Sequence, residues 1–132
     1  MFQRGELRRR MLEQRGQLRV EQRSEMDGEL FQRLYALPAI QKAGVFFVYC
    51  SYRSEVGTGE LIDQLLHLGK TVCVPLCDPA TVSMAAVRIT DPRMDLLPGY
   101  KGIPEPHRQL ASTQSIAATS LEVVIIPGAV FD

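Results

Sequence analysis

Leu121-Glu122-Val123-Val124-Ile125-Ile126-Pro127-Gly128 is a largely β-branched run with no polar alternation, closed by a turn. Such a run suits a strand of a parallel sheet covered on both faces. Further back, Gly44-Val45-Phe46-Phe47-Val48-Tyr49-Cys50 reads as a second buried strand and Thr71-Val72-Cys73-Val74-Pro75 as a third. Between these two lie a polar loop, residues 51–57, and an amphipathic helix that Thr58 is placed to cap. Glu60 falls in its first turn, Leu61, Ile62, Leu65, Leu66 and Leu68 are its apolar set, and Gly69 is placed to end it in a left-handed conformation. Strand, helix, strand at this length predicts a right-handed βαβ unit. In open α/β sheets ligands bind beyond the carboxyl ends of the strands, which singles out the loop after Cys50 and the one after Ile126.

Outward from this core, residues 2–23 read as one long helix with Leu7, Met11 and Leu18 on one stripe and Arg4, Arg8 and Arg15 on the next. Ser24 with Asp27 resembles a capping box that opens a second helix, which turns Met26, Leu30, Leu34 and Leu37 inward and ends at Pro38. Residues 84–89 read as a further strand. Residues 95–108, rich in proline and glycine, read as an irregular excursion, and a polar linker leads to the last strand. The expected fold is α/β: a three-layer αβα arrangement with a mostly parallel, Rossmann-like sheet, preceded by two N-terminal helices, in a single domain over residues 1–132.

The formal net charge is zero, which argues against general nucleic-acid binding, although residues 1–23 carry an excess of arginine. No stretch is apolar enough to span a membrane, and none resembles a signal peptide, so the expected compartment is the cytoplasm. Cys50, Cys73 and Cys77 read as free thiols. Cys73 and Cys77 lack further ligands at metal-binding spacing. No Walker loop, zinc motif or nucleophile elbow is present.

Three features could carry chemistry. Glu55, at a strand's carboxyl end and just before a helix, is either a solvated loop carboxylate or an acceptor for a ligand's N–H groups. Arg4, Arg8 and Arg15 either hold a polyphosphate bidentately or form a solvated face paired with Glu6 and Glu13. Tyr100 sits in a rigid loop that is either a functional loop or a plain connection. His67, near a helix C-terminus, reads as structural, and His107 has no partner pattern.

Taken together, Arg4-x-x-Leu7-Arg8, Ser54-Glu55-Val56-Gly57-Thr58 with Leu61-Ile62, Gly69-Lys70-Thr71-Val72-Cys73-Val74-Pro75, Gly102-Ile103-Pro104-Glu105-Pro106 and Val124-Ile125-Ile126-Pro127-Gly128-Ala129-Val130-Phe131-Asp132 resemble the 5-formyltetrahydrofolate cyclo-ligase family, also called methenyltetrahydrofolate synthetases. Each block alone is weak, but their order and spacing make the match specific. The resemblance implies conversion of 5-formyltetrahydrofolate to 5,10-methenyltetrahydrofolate with ATP and Mg²⁺. The formyl oxygen takes the γ-phosphoryl group, N10 attacks the activated carbon, and phosphate leaves.

Residue by residue, the resemblance implies that Arg4 and Arg8 contact ATP, position 4 being more often lysine in the family. It places Cys50 and Glu55 at the folate, with Met84 as an apolar pocket residue. An aromatic usually precedes the Gly-Ile-Pro block. Here that position is Lys101, and Tyr100, one residue earlier, is the candidate pocket aromatic. The family continues past Phe-Asp into a Gly-rich segment with an arginine and a Gly-Tyr-Tyr-Asp ending, which binds ATP phosphates, part of the folate and the metal. The expectation is therefore a domain incomplete at its C-terminus, with metal ligands beyond Asp132. The alternative is a catalytically inactive form that acts at most as a folate- or protein-binding module.

Overall fold

The computed structural model describes residues 3–131. The long N-terminal helix pattern is broken into α1 (Arg4–Gly16) and α2 (Val20–Tyr35). The start expected at residue 2 lies outside the described residues. The break falls after Gly16, a poor helix former, and the Gln22 Oε1 accepts from the Arg19 backbone N–H at 3.1 Å to open the new helix. Ser24 and Asp27 therefore lie inside α2 instead of starting it. The inward stripe is also rotated: Phe31 is buried and Leu34 and Tyr35 pack against the core, while Met26, Leu30 and Leu37 are 55%, 49% and 51% exposed. Pro38 does not end α2. It opens α3 (Pro38–Lys42), where a missing N–H breaks no helical bond.

The strand–helix–strand order and its parallel pairing form as read. β1 (Val45–Val48), α4 (Gly59–His67) and β2 (Thr71–Asp78) follow in order, with β1 and β2 parallel in the register Val45↔Thr71 to Phe47↔Cys73. Gly69 ends the helix at φ 78°, as expected of a left-handed terminator. β3 (Ser83–Ile89) then turns back antiparallel on β2, because the connection over residues 79–82 is far too short for a crossover.

The excursion expected over 95–108 is partly ordered. After the single turn α5 (Pro92–Asp95), β4 (Leu96–Pro98) and β5 (Pro104–Pro106) pair as a small antiparallel ribbon. Its turn uses positive φ at Lys101 (56°) and Gly102 (78°). The prolines of β5 are tolerated because that strand has a single partner. The expected polar linker contains α6 (Arg108–Gln114) and β6 (Ser115–Ile116), which pairs with β3, and β7 (Val123–Ile125) then pairs in parallel with β1.

The class is α/β, with strand order β6-β3-β2-β1-β7. The sheet is mixed, not mostly parallel, since the β2–β3 and β3–β6 pairs are antiparallel. Its centre is covered on both faces: successive residues Phe46, Phe47 and Val48, and again Val72, Cys73 and Val74, are all buried. The run 121–128 is not the doubly buried strand expected of it. β7 lies at the sheet edge, with Val123 and Ile125 packed on the core, but Val124 is 55% and Ile126 69% exposed. A β-branched run specifies an extended chain, whereas burial of its second face needs a partner layer, and no described residue supplies one there.

Candidate functional site

The loop after β1 is pinned from within and from both neighbouring helices. Thr58 is 2% exposed. Its Oγ1 donates to the Tyr49 carbonyl at 2.7 Å and accepts from the Ser51 N–H at 3.1 Å, so it stitches the strand end to the helix start instead of capping α4. The Tyr49 hydroxyl donates to the Val56 carbonyl at 2.8 Å. At the tip, the Glu55 N–H donates to the Tyr52 carbonyl at 3.1 Å, while the Tyr52 N–H donates to Glu55 Oε1 at 2.7 Å. Arg53 sits between them at φ 52°, an unusual conformation for a residue other than glycine, with its guanidinium 4.9 Å from the centre of the Tyr52 ring.

Both N-terminal helices reach this loop. From α1, Arg15 Nε donates to Ser54 Oγ at 2.9 Å, and Arg15 Nη1 donates to the Gly128 carbonyl at 3.4 Å. From α2, Asp27 Oδ2 accepts from the Gly57 N–H at 3.1 Å. The loop therefore stands at the carboxyl end of β1, next to the loop that follows β7, which is the crevice where α/β sheets take ligands.

Two clefts share this loop as a wall. One, of about 550 Å³, runs along α1 and is lined by Arg8, Arg9 and Arg15 opposite Tyr52 and Glu55. The other, of about 700 Å³, runs along α2, where Met26, Leu30 and Phe31 meet Arg23, Glu55 and Val56. Arg15, Arg53, Ser54 and Glu55 line both. Burial, followed by the Glu55 and Asp27 carboxylates and opposed by Arg15, pushes the Tyr49 phenol up to about 12, so it stays a hydrogen-bond donor at neutral pH.

The structure brings Arg8, Arg15 and Glu55 together and leaves the other candidates apart. Arg4 is exposed in the first turn of α1 and lines neither cleft. Cys50 is buried and lines neither. Burial, and then the Glu105 carboxylate, push its thiol up to about 11. Met84 is 61% exposed on β3, opposite Cys77. Tyr100 is exposed in the ribbon turn, at a separate hollow of about 370 Å³ that Glu105 and His107 also line. Among the described residues, no group of three or more His, Cys, Asp or Glu side chains is placed to hold a metal ion. Asp27 and Arg23 escaped the sequence reading as site residues. Asp27 looked like a helix cap and Arg23 like one more member of a basic run, and only the approach of α2 to the loop distinguishes them.

The model of the 5-formyltetrahydrofolate cyclo-ligase family matches residues 1–132. The 5-formyltetrahydrofolate cyclo-ligase of Escherichia coli K12 is 28% identical over 120 residues, covering 91% of this chain and 65% of that protein, and its O157:H7 counterpart matches equally. The chain thus spans just under two thirds of the length of these curated relatives. Among solved structures, the 5,10-methenyltetrahydrofolate synthetase of Aquifex aeolicus superposes with a TM-score of 0.83 at 25% identity, over 97% of this chain and 62% of that one. The 5,10-methenyltetrahydrofolate synthetase of Mycoplasma pneumoniae shares the fold, with a TM-score of 0.68 at 16% identity, over 96% of this chain and 64% of that one.

Proposed function

The chain belongs to the 5-formyltetrahydrofolate cyclo-ligase family, and from that premise we propose that it serves the ATP- and Mg²⁺-dependent conversion of 5-formyltetrahydrofolate to 5,10-methenyltetrahydrofolate in the cytoplasm. The observation that carries this reading is the shared wall. One loop, pinned by Arg15 and Asp27, presents Glu55 to a cleft rich in arginine on one side and to a partly apolar cleft on the other. A reaction that joins a nucleotide to a folate needs two adjoining sites of this kind, held in register.

The α1 cleft suits a polyphosphate. Arg8 and Arg9 line it, with Arg4 one turn before Arg8 at the positive end of the helix dipole. Bound ATP supplies the phosphoryl group that turns the formyl oxygen into a leaving group. The arginines' part is to hold and neutralise phosphate oxygens, which is most of what such a transfer asks of a protein. Glu55 spends Oε1 on the Tyr52 N–H and keeps its second oxygen for an N–H of the folate. Cys50, Met84 and Tyr100 are proposed folate contacts on the strength of the family resemblance alone, since none of them lines either cleft. The described residues offer no carboxylate cluster that fits Mg²⁺, so no step is assigned to a metal held by them.

The test is direct. The purified protein, with any segment that continues beyond Asp132 included and shown to be folded by cooperative unfolding, is mixed with 5-formyltetrahydrofolate, ATP and Mg²⁺, and the near-ultraviolet absorbance of the methenyl product is followed. ATP-dependent product is the expected result. Folate binding without turnover would reduce the proposal to a folate-binding module, and no binding of either ligand would overturn it.

A further inference from the structure

The α2 cleft holds a feature that the family resemblance does not use. The Nε of Arg23 is buried, and among the described residues it has no hydrogen-bond partner and Arg23 makes no ion pair with a carboxylate. A buried guanidinium donor left unpaired is costly, and Arg23 itself lines the cleft, where the outer nitrogens of its fork can meet a ligand's anionic oxygen. Glu55 lines the same cleft, and Met26, Leu30 and Phe31 line it as well. The cleft therefore offers a carboxylate, an apolar stretch and an unpaired cation. Its volume of about 700 Å³ lies within the range that takes a whole small-molecule ligand.

The cleft's formal charges do not favour a simple anion. Asp27, Glu29 and Glu60 also line it, balancing its other arginines. What fits is a molecule with N–H donors at one end, an apolar middle and a carboxylate at the other. 5-Formyltetrahydrofolate has this make-up, with its pterin N–H groups, its aminobenzoyl ring and its glutamate carboxylates.

We infer that the folate lies along α2, with its pterin at Glu55 and a glutamate carboxylate on Arg23, which makes Arg23 a specificity-determining residue for the tail. This rests on the folate reading above and adds the orientation and the tail contact. It leaves the α1 cleft, lined by Arg8, to the nucleotide.

The experiment compares equilibrium binding of 5-formyltetrahydrofolate with that of the same molecule carrying both glutamate carboxylates as amides. The expected result is an affinity about tenfold or more lower for the diamide, the loss typical of one charge-assisted bond. In Arg23→Gln the difference between the two ligands should shrink below about threefold. Arg23→Lys, which keeps the charge but loses the fork, should fall between. Equal affinity of the unaltered protein for acid and diamide would overturn the tail assignment without touching the folate reading, and needs no variant to fold. A tail preference that survives in Arg23→Gln would also overturn it, placing the tail elsewhere. Failure to bind either form would overturn the folate reading itself.

Discussion

Arg15 on α1 donates through Nε to Ser54 Oγ at 2.9 Å, across 39 positions of sequence. α1 has no buried residue, so little apolar packing anchors it. Its fixed position beside the Glu55 loop depends heavily on this contact and on the bond from Arg15 to the Gly128 carbonyl.

Arg15→Ala should therefore loosen α1 locally more than it destabilises the whole domain. A part-buried charged hydrogen bond contributes about 1–2 kcal/mol, or roughly five- to thirtyfold in a local opening equilibrium. Amide hydrogen exchange over residues 4–16 should speed up by that factor while the core strands keep their protection. Ser54→Ala should produce a similar but smaller effect, and the double variant should add less than the sum. Independent, additive effects would show that the two side chains do not act together.

Thr58→Val should be far more damaging than Thr58→Ser. Valine keeps the shape but leaves the Tyr49 carbonyl and the Ser51 N–H without their partner in a site that is 2% exposed. The expected cost is about 2–3 kcal/mol, against about 1 kcal/mol or less for serine. Urea denaturation midpoints at constant slope would measure both. Equal midpoints for the two variants would remove Thr58 from the account of how the loop is held.

Cys50 should resist alkylation in the folded protein, and Cys77 should not. Burial and the Glu105 carboxylate raise the Cys50 thiol to about 11, which leaves about 0.1% thiolate at pH 8, and its sulfur is also shielded, whereas Cys77 is exposed. Iodoacetamide labelling read by peptide mass should mark Cys77 first. A thiol that ionises later when folded contributes nothing adverse below its ordinary value of 9.0, and the folded state loses ground as pH rises from there toward about 11. Early labelling of Cys50 at pH 8 would contradict its placement.

Glu55→Gln should weaken use of 5-formyltetrahydrofolate by about tenfold or more and leave ATP use nearly unchanged, because the amide oxygen still accepts from the Tyr52 N–H and keeps the loop. Arg8→Ala should do the reverse, raising KM for ATP by a similar factor through loss of one phosphate contact. Steady-state kinetics with each substrate varied separates the two. Parallel losses in both substrates would mean that the two clefts are not divided between nucleotide and folate.

Short-range features of the chain were legible without coordinates. The apolar runs marked β1, β2 and β3 as strands, Gly69 ended α4 in the left-handed conformation, and the loop after Cys50 stood out with Glu55 in it, because each follows from backbone sterics or from the local pattern of apolar and polar residues. What the sequence could not decide were relations between distant residues. The helical period of α2 was readable, but whether Phe31 or Leu30 faced the core depended on where the sheet lay. The strand character of 123–125 was readable too, but its place at the sheet edge and the exposure of Val124 depended on what packs beside it. Seven arginines within residues 1–23 look interchangeable as a string. Tertiary structure separates them: Arg8 is set against the Glu55 loop, Arg15 is bound to Ser54, and Arg23 is left with a buried Nε that has no partner among the described residues. A side chain's period comes from its own backbone, but its burial and its partners come from chain segments that only folding brings near.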